Sequence, residues 1–297
     1  MIKGIIIRSV SGFYYVEAAD KVYECKARGN FRKKGIKPIV GDHVIISEQQ
    51  NGYCAIDEVC ERRNFIIRPP ISNIDQMIIV VSTCEPKPNM LIIDKMTAAA
   101  VSKGIEPIVV FSKSDLSSPE ELIKIYRMAG IKAIEFSSVD KRGRDEIISL
   151  LPNKVTSLTG NSGVGKSTLI NTLFPELDLD TGNISEKLGR GRHTTRTVEL
   201  FKCRGGYIAD TPGFSTLDIE RYELIEKEKL PEAFPEFGEY IGKCRFSTCS
   251  HTCEKGCAVI DAVESGVICR SRHESYKSMY NEVKDLKKWM QLKDAAL

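Results

Sequence analysis

Residues Gly160-Asn161-Ser162-Gly163-Val164-Gly165-Lys166-Ser167 match G-x-x-x-x-G-K-[ST] in full. That pattern holds phosphates. Glycines let the backbone curl until several N–H donors converge on one anion, and the helix that follows turns its positive end toward it. Lys166 is expected to reach the β- and γ-phosphates and Ser167 to offer its hydroxyl to Mg²⁺, with Thr168 beside it in the first helical turn. Further on, Asp210-Thr211-Pro212-Gly213 fits D-x-x-G directly after the apolar Tyr207-Ile208-Ala209. Asp210 can hold the magnesium shell, and Gly213 can give its N–H to the γ-phosphate. Between the two motifs runs Gly189-Arg190-Gly191-Arg192-His193-Thr194-Thr195-Arg196, a polar segment without apolar period. A threonine here can close onto Mg²⁺. Thr194 and Thr195 both qualify, and Thr195 is preferred.

The candidate base reader, Ser112-Lys113-Ser114-Asp115, lies upstream of the phosphate loop. An aspartate accepts two hydrogen bonds, from N1–H and the 2-amino group of guanine; adenine lacks both donors. The Lys113 stem can cover the base plane. Ser112 stands where Asn is usual, and its shorter side chain without an amide puts one stabilising bond in question. Ser137-Ser138, after Phe136, fits the weaker S-A-like motif whose backbone approaches the base. In Ras-like proteins the phosphate loop precedes the base motif. The reversed order builds the same site if the original domain ends are close and have been rejoined, which predicts a circular permutation.

Ras-like enzymes orient the attacking water with a Gln just after D-x-x-G. That position is Phe214 here. His193 is the candidate replacement, because an imidazole orients water or takes a proton near neutral pH. A second chemistry sits near the C-terminus. Cys244-x4-Cys249-x-His251-x5-Cys257 offers three thiolates and an imidazole, a closed tetrahedral set suited to one structural zinc ion. Cys253 is a fifth potential ligand that spacing does not exclude. Zinc would staple a segment with little apolar content of its own. The remaining cysteines are scattered and read as small apolar packing residues.

The elements that must position these groups are legible as patterns. Before residue 69, short alternating stretches at Gly12–Val16, Lys21–Cys25 and His43–Ile46 suggest a small barrel of the OB type. Pro69-Pro70 marks a boundary. Beyond it strands at Met77–Val81, Ile108–Phe111, Lys132–Phe136, Lys154–Leu158, Val198–Cys203 and Tyr207–Ala209 alternate with helices at Met90–Ser102, Glu120–Met128, Asp145–Leu151 and Ser167–Phe174. That alternation predicts a mostly parallel sheet covered by helices. A last helix is expected over Glu274–Leu292, with Met279, Val283, Leu286, Trp289 and Met290 on its apolar side. The expected domains are 1–68, 69–221 and 222–297. The net charge of +3 across 297 residues is too small to argue for nucleic acid by itself. Lys26, Arg28, Arg32, Lys33, Lys34 and Lys37 nevertheless cluster around Phe31, a combination that can neutralise phosphates and stack on a base. No apolar run reaches the length of a membrane span, and Met1–Ile7 has no signal-peptide pattern, so a cytoplasmic location is expected.

Taken together, the permuted order, the His193-Thr194-Thr195 loop, the Asp210–Gly213 motif and the Cys244/Cys249/His251/Cys257 set closely resemble the RsgA (YjeQ/YloQ) family of bacterial GTPases. The likeness extends over essentially the whole chain. It implies an N-terminal OB-fold, a circularly permuted α/β P-loop GTPase domain and a small C-terminal helical zinc-binding domain. It implies GTP hydrolysis stimulated by the 30S ribosomal subunit, with GTP, GDP and 16S rRNA as partners, in late maturation of that subunit. It also implies that His193 is catalytic and that zinc falls on the four named ligands. A monomer is expected. Two alternatives from other classes are a nucleotide-gated rRNA-binding module with negligible turnover and an ATP-using P-loop protein.

Overall fold

The computed structural model describes residues 1–29, 31, 35–49, 53–67, 69–175, 198–210 and 225–285. Its strands are β1 (Ile2–Val10), β2 (Phe13–Ala18), β3 (Lys21–Ala27), β4 (His43–Glu48), β5 (Cys54–Val59), β6 (Phe65–Ile66), β7 (Ile71–Ser72), β8 (Gln76–Ser82), β9 (Glu106–Ser112), β10 (Lys132–Glu135), β11 (Val155–Thr159), β12 (Glu199–Cys203) and β13 (Gly206–Asp210). Its helices are α1 (Met90–Ser102), α2 (Glu120–Met128), α3 (Arg144–Ser149), α4 (Lys166–Leu173), α5 (Ala258–Glu264) and α6 (Arg270–Val283). They form two compact units. One gathers the described residues among Met1–Gln76, Ile148–Leu158 and Leu179–Phe214, the other those among Met77–Ile147, Thr159–Asp178 and Ser215–Leu297.

In the first unit, β1, β2 and β3 form an antiparallel meander. β5 joins β3 in parallel through Cys25↔Cys54, β4 pairs antiparallel with β5, and β4 returns to β1. That closes a five-stranded OB-like barrel and removes its free edges. Alternation along β2 sends Tyr14, Val16 and Ala18 into the barrel and leaves Phe13, Tyr15 and Glu17 partly solvated. Cys25 and Cys54 are buried packing residues, and burial first of all pushes the Cys25 thiol up to about 12. The register of β1 against β2 shifts between Ile6 and Arg8, so Ile5 and Ile6 are both buried. This irregularity hides β1 from a search for strict alternation. In the same unit β12 pairs antiparallel with β13, and β13 runs parallel to β11.

In the second unit, β9 and β10 are parallel. Every residue of β8, and every residue of β9 after Glu106, is buried, which explains their continuous apolar runs. Asn89 caps α1 by accepting the Ile92 N–H at 3.3 Å. The C-terminal part of this unit gathers Leu230, Phe234, Phe237, Val259, Ile268, Tyr276 and Met279 around Ala98 of α1. The last helix among the described residues is α6, Arg270–Val283; Leu286, Trp289 and Met290 lie outside them. No helix among the described residues is long and apolar enough to cross a membrane.

Candidate nucleotide site and metal centre

β11 delivers the chain to the phosphate loop. Gly160 takes φ +144°, and a Cβ there would stand 2.4 Å from the Val80 carbonyl oxygen, so a side chain is excluded twice over. Gly165 is the N-cap of α4 at φ +93°, a left-handed value that lets the chain enter the helix directly. Ser162 and Gly163 are exposed, Val164 is buried, and Asn161, Lys166, Ser167 and Thr168 are half-buried. The Lys166 ammonium donates to the carbonyls of Gly160 at 2.6 Å and Asn161 at 2.7 Å. Burial lowers its pKa, a cost that a phosphate anion would offset.

The base motif meets this loop within the same unit. Lys113 has φ +60°, and its ammonium donates to the Gly163 carbonyl at 2.9 Å and to the Glu85 carbonyl. Ser112 is buried, with its hydroxyl 2.5 Å from the Val164 carbonyl and 3.2 Å from that of Val81. The short side chain therefore does bond to the phosphate loop, which spacing alone left in question. Ser114 N–H donates to the Phe136 carbonyl at 3.2 Å, so the base motif and the Ser137-Ser138 segment are joined. The Ser114 hydroxyl is buried with no partner among the described residues. Asp115 is exposed, and its carboxylate makes no hydrogen bond or ion pair among the described residues. Ser137 is buried and accepts the Val139 N–H at 3.1 Å, while Ser138 is exposed. Asp210 ends β13. His193, Thr194, Thr195, Gly213 and Phe214 lie outside the described residues.

Cys244, Cys249, His251 and Cys257 present one sulfur or nitrogen each, all within 4.8 Å of one another. Zinc with Zn–S bonds of about 2.3 Å and Zn–N of about 2.0 Å needs tetrahedral edges of about 3.8 Å between sulfurs and about 3.5 Å between sulfur and nitrogen. Cys244 and Cys257 sulfurs are 3.8 Å apart, and His251 Nδ1 lies 3.5 Å from Cys244 and 3.4 Å from Cys257. The donor set fits zinc. Cys253 is exposed and outside the group, which removes the fifth ligand that spacing allowed. Burial pushes the Cys249 thiol up to about 12 and the Cys257 thiol upward, a cost that a bound cation would offset.

Three residues that the motifs did not flag shape this knuckle. The Glu254 carboxylate accepts the N–H groups of Ser250 at 2.7 Å and of Thr252 and Cys253 at 3.1 Å. Burial works to raise its pKa, but the Ser250 hydroxyl and these N–H donors hold it down to about 2. His273 Nε2 lies 2.7 Å from the His251 carbonyl, and the Tyr276 hydroxyl donates to the Ser250 carbonyl at 2.7 Å. An acidic residue between the ligands His251 and Cys257, and a His and a Tyr three apart on α6, are the sequence traces of this support.

A family model described as RsgA GTPase matches residues 59–220, one described as RsgA N-terminal domain matches 3–56, and one described as 50S ribosome-binding GTPase matches 155–289. A protein of Streptococcus pneumoniae named small ribosomal subunit biogenesis GTPase RsgA is 45% identical over 284 residues, covering 95% of either chain. One of the same name from Caldanaerobacter subterraneus is 45% identical over 293 residues, covering 97% of either chain. Among solved structures, YjeQ from Thermotoga maritima has a TM-score of 0.81 at 33% identity, with 96% of this chain and 99% of its own covered. YloQ, described as a circularly permuted GTPase, has a TM-score of 0.80 at 35% identity, with 97% of this chain and 96% of its own covered. A base motif upstream of its phosphate loop, an OB-like barrel before it and a Cys/His cluster after it define a circularly permuted P-loop GTPase. The match is continuous across barrel and GTPase segments at an identity well above chance. The chain belongs to the RsgA GTPase family.

Proposed function

We propose that this GTPase binds the 30S ribosomal subunit, acts in its late maturation and hydrolyses GTP faster when docked there. The observation that carries the nucleotide site is Lys113 and Ser112 bonding to the Gly163 and Val164 carbonyls. A base motif 50 residues upstream is thereby held against the phosphate loop. In this reading Asp115 takes guanine N1–H and the 2-amino group, Lys113 covers the base, and Ser114, Ser137 and Ser138 line its edge. The N–H groups of Gly160–Thr168 and the Lys166 ammonium hold the phosphates, with Gly213 at the γ-phosphate. Ser167, Asp210 and Thr195 are the protein ligands of Mg²⁺, which neutralises charge developing on the phosphates. His193 orients the attacking water. One structural zinc ion is held by Cys244, Cys249, His251 and Cys257.

We further assign residues 1–68 to an RNA-binding OB domain, 69–221 to the GTPase domain and 222–297 to the zinc domain, in a monomeric cytoplasmic protein. Phe31 is buried, so it is not the aromatic that stacks on RNA. Tyr53 and Phe13 fit that role better. Their ring centroids are 5.9 Å apart, and the Lys26 ammonium sits 4.7 Å from the Phe13 ring and 4.9 Å from that of Tyr53. Small ribosomal subunit biogenesis is the role printed in the names of relatives from two bacterial genera. Phosphate release measured with and without purified 30S subunits tests the proposal. Stimulation that His193→Ala abolishes while guanine-nucleotide affinity survives is the expected result. Equal, negligible release in both conditions would instead support a nucleotide-gated RNA-binding module.

A further inference from the structure

Arg272 of α6 has no exposed surface, and it carries a full charge. Its Nη1 donates to Asp94 Oδ1 at 2.6 Å and to the Thr97 hydroxyl at 3.1 Å, both on α1. Its Nε and Nη2 donate to the two Glu236 oxygens at 2.8 and 3.2 Å. The guanidinium also lies 4.7 Å from the Phe234 ring centroid, and Tyr126 donates to Asp94 Oδ1 at 3.0 Å. Two carboxyl groups face the one guanidinium, and Asp94 Oδ2 has no hydrogen-bond partner among the described residues. Stability alone does not favour this arrangement, because well-packed apolar residues of similar volume do as well or better. A fork of directed hydrogen bonds does what an apolar contact cannot: it fixes one orientation of α6 on α1.

Each end of this clamp leads to a site already described. From Arg272 the next residue is His273, whose Nε2 meets the His251 carbonyl, and four residues on Tyr276 holds Ser250. From Asp94, α1 runs back to its cap Asn89 and the loop after β8. There Thr83 N–H donates to the Ser112 carbonyl at 3.0 Å, and the Thr83 hydroxyl donates to the Lys113 carbonyl at 2.8 Å. The Lys113 ammonium in turn joins Glu85 of that loop to Gly163 of the phosphate loop. We propose that Arg272 is a positioning residue that makes α1 and the metal knuckle one rigid body, so that guanine-nucleotide occupancy at Lys113 and the phosphate loop is felt at the knuckle. This rests on the nucleotide site assigned above but not on the ribosomal role.

The test is hydrogen–deuterium exchange of residues 244–257 in the full-length, metal-loaded protein, with and without a non-hydrolysable GTP analogue. The wild-type protein should exchange about fivefold or more slowly when the analogue is bound, the lower range of measured coupling between sites. The neutral variant Arg272→Met/Asp94→Asn/Glu236→Gln should fold, keep its metal and bind the analogue with unchanged affinity, yet lose that response. Arg272→Lys, which keeps the charge without the fork, should at least halve it and serves if the triple variant does not fold. A response retained in the folded triple variant, more than half of it retained in Arg272→Lys, or none in a wild-type protein that binds the analogue, overturns the proposal. A wild-type protein that does not bind the analogue overturns the nucleotide site itself, and the proposal falls with it.

Discussion

Replacing Ser112 by Ala isolates the bond that stands in for the usual Asn amide. The hydroxyl has one proton and two carbonyl neighbours, Val164 at 2.5 Å and Val81 at 3.2 Å, so the shorter contact, to the phosphate loop, is the donated one. Ser112 is 2% exposed, so its hydroxyl is shielded from bulk water. Leaving a buried carbonyl without its partner costs about 1–3 kcal/mol. How that cost divides depends on when the loop takes shape. If nucleotide binding completes it, the GDP dissociation constant rises by a factor of about 5 to about 150. If the loop is already formed, affinity holds and the loss falls on stability, a fall of about 2–4 °C in melting temperature per kcal/mol. Calorimetric titration with GDP and a thermal melt on the same samples distinguish the two. A variant that matches the wild-type protein in both would show that the contact carries no net energy, and with it the argument that Ser112 joins base motif to phosphate loop.

Asp115→Ala should remove two hydrogen bonds to guanine, each worth about 1.5–3 kcal/mol from a charged acceptor. GTP should then lose its advantage over excess ATP in a competition assay, and retained selectivity would move base recognition elsewhere. Gly160→Ala forces a side chain onto the Val80 carbonyl at φ +144°. The backbone strain alone is about 1–3 kcal/mol, so nucleotide affinity should fall at least about fivefold by fluorescent-GDP titration. Cys257→Ser removes a buried sulfur donor of the Cys/His group, at the residue that precedes α5. Metal content by elemental analysis should drop well below one ion per chain, with loss of near-ultraviolet signal from Phe237 and Tyr276.

The parts of this molecule that were legible in the sequence are those whose cause is local. α1 and α2 span the residues where helical spacing predicts them, Met90–Ser102 and Glu120–Met128. The runs of β8 and β9 read as buried strands because both faces are covered. The metal ligands were legible because a tetrahedron of four donors can be strung along 14 residues, Cys244 to Cys257. What stayed hidden depends on partners far away in the chain. β1 lacks clean alternation because its register shifts at Ile7, and β5 is placed by Cys25, 29 residues earlier. Phe31 looked like a stacking residue amid lysines and arginines, but burial is a property of the folded neighbourhood. Arg272 precedes the helix expected from Glu274 and drew no notice; its partner Asp94 is 178 residues away.

Permutation changes which segments are covalently joined, not which backbone groups must meet. The ends of β8 and β9 and the phosphate loop converge at one hydroxyl, although Val81 and Val164 lie 31 and 52 residues from Ser112. The segment that carries the metal ligands does not enclose its own apolar core: Ala98 and Leu91, both of α1, complete the cluster of Phe234, Phe237, Tyr276 and Met279. Two supports are open to such a segment: a Cys/His group that could hold a metal at its knuckle, and a helix of the nucleotide-binding unit against its apolar side. Removing the metal should therefore loosen the knuckle while α6 stays docked on α1 through Arg272 and the Lys95–Glu282 pair at 3.0 Å. Chelation followed by hydrogen exchange would reveal the difference, as exchange that rises across 244–257 and stays slow in α6. Equal acceleration in both would mean that the metal, not α1, supports the whole C-terminal segment.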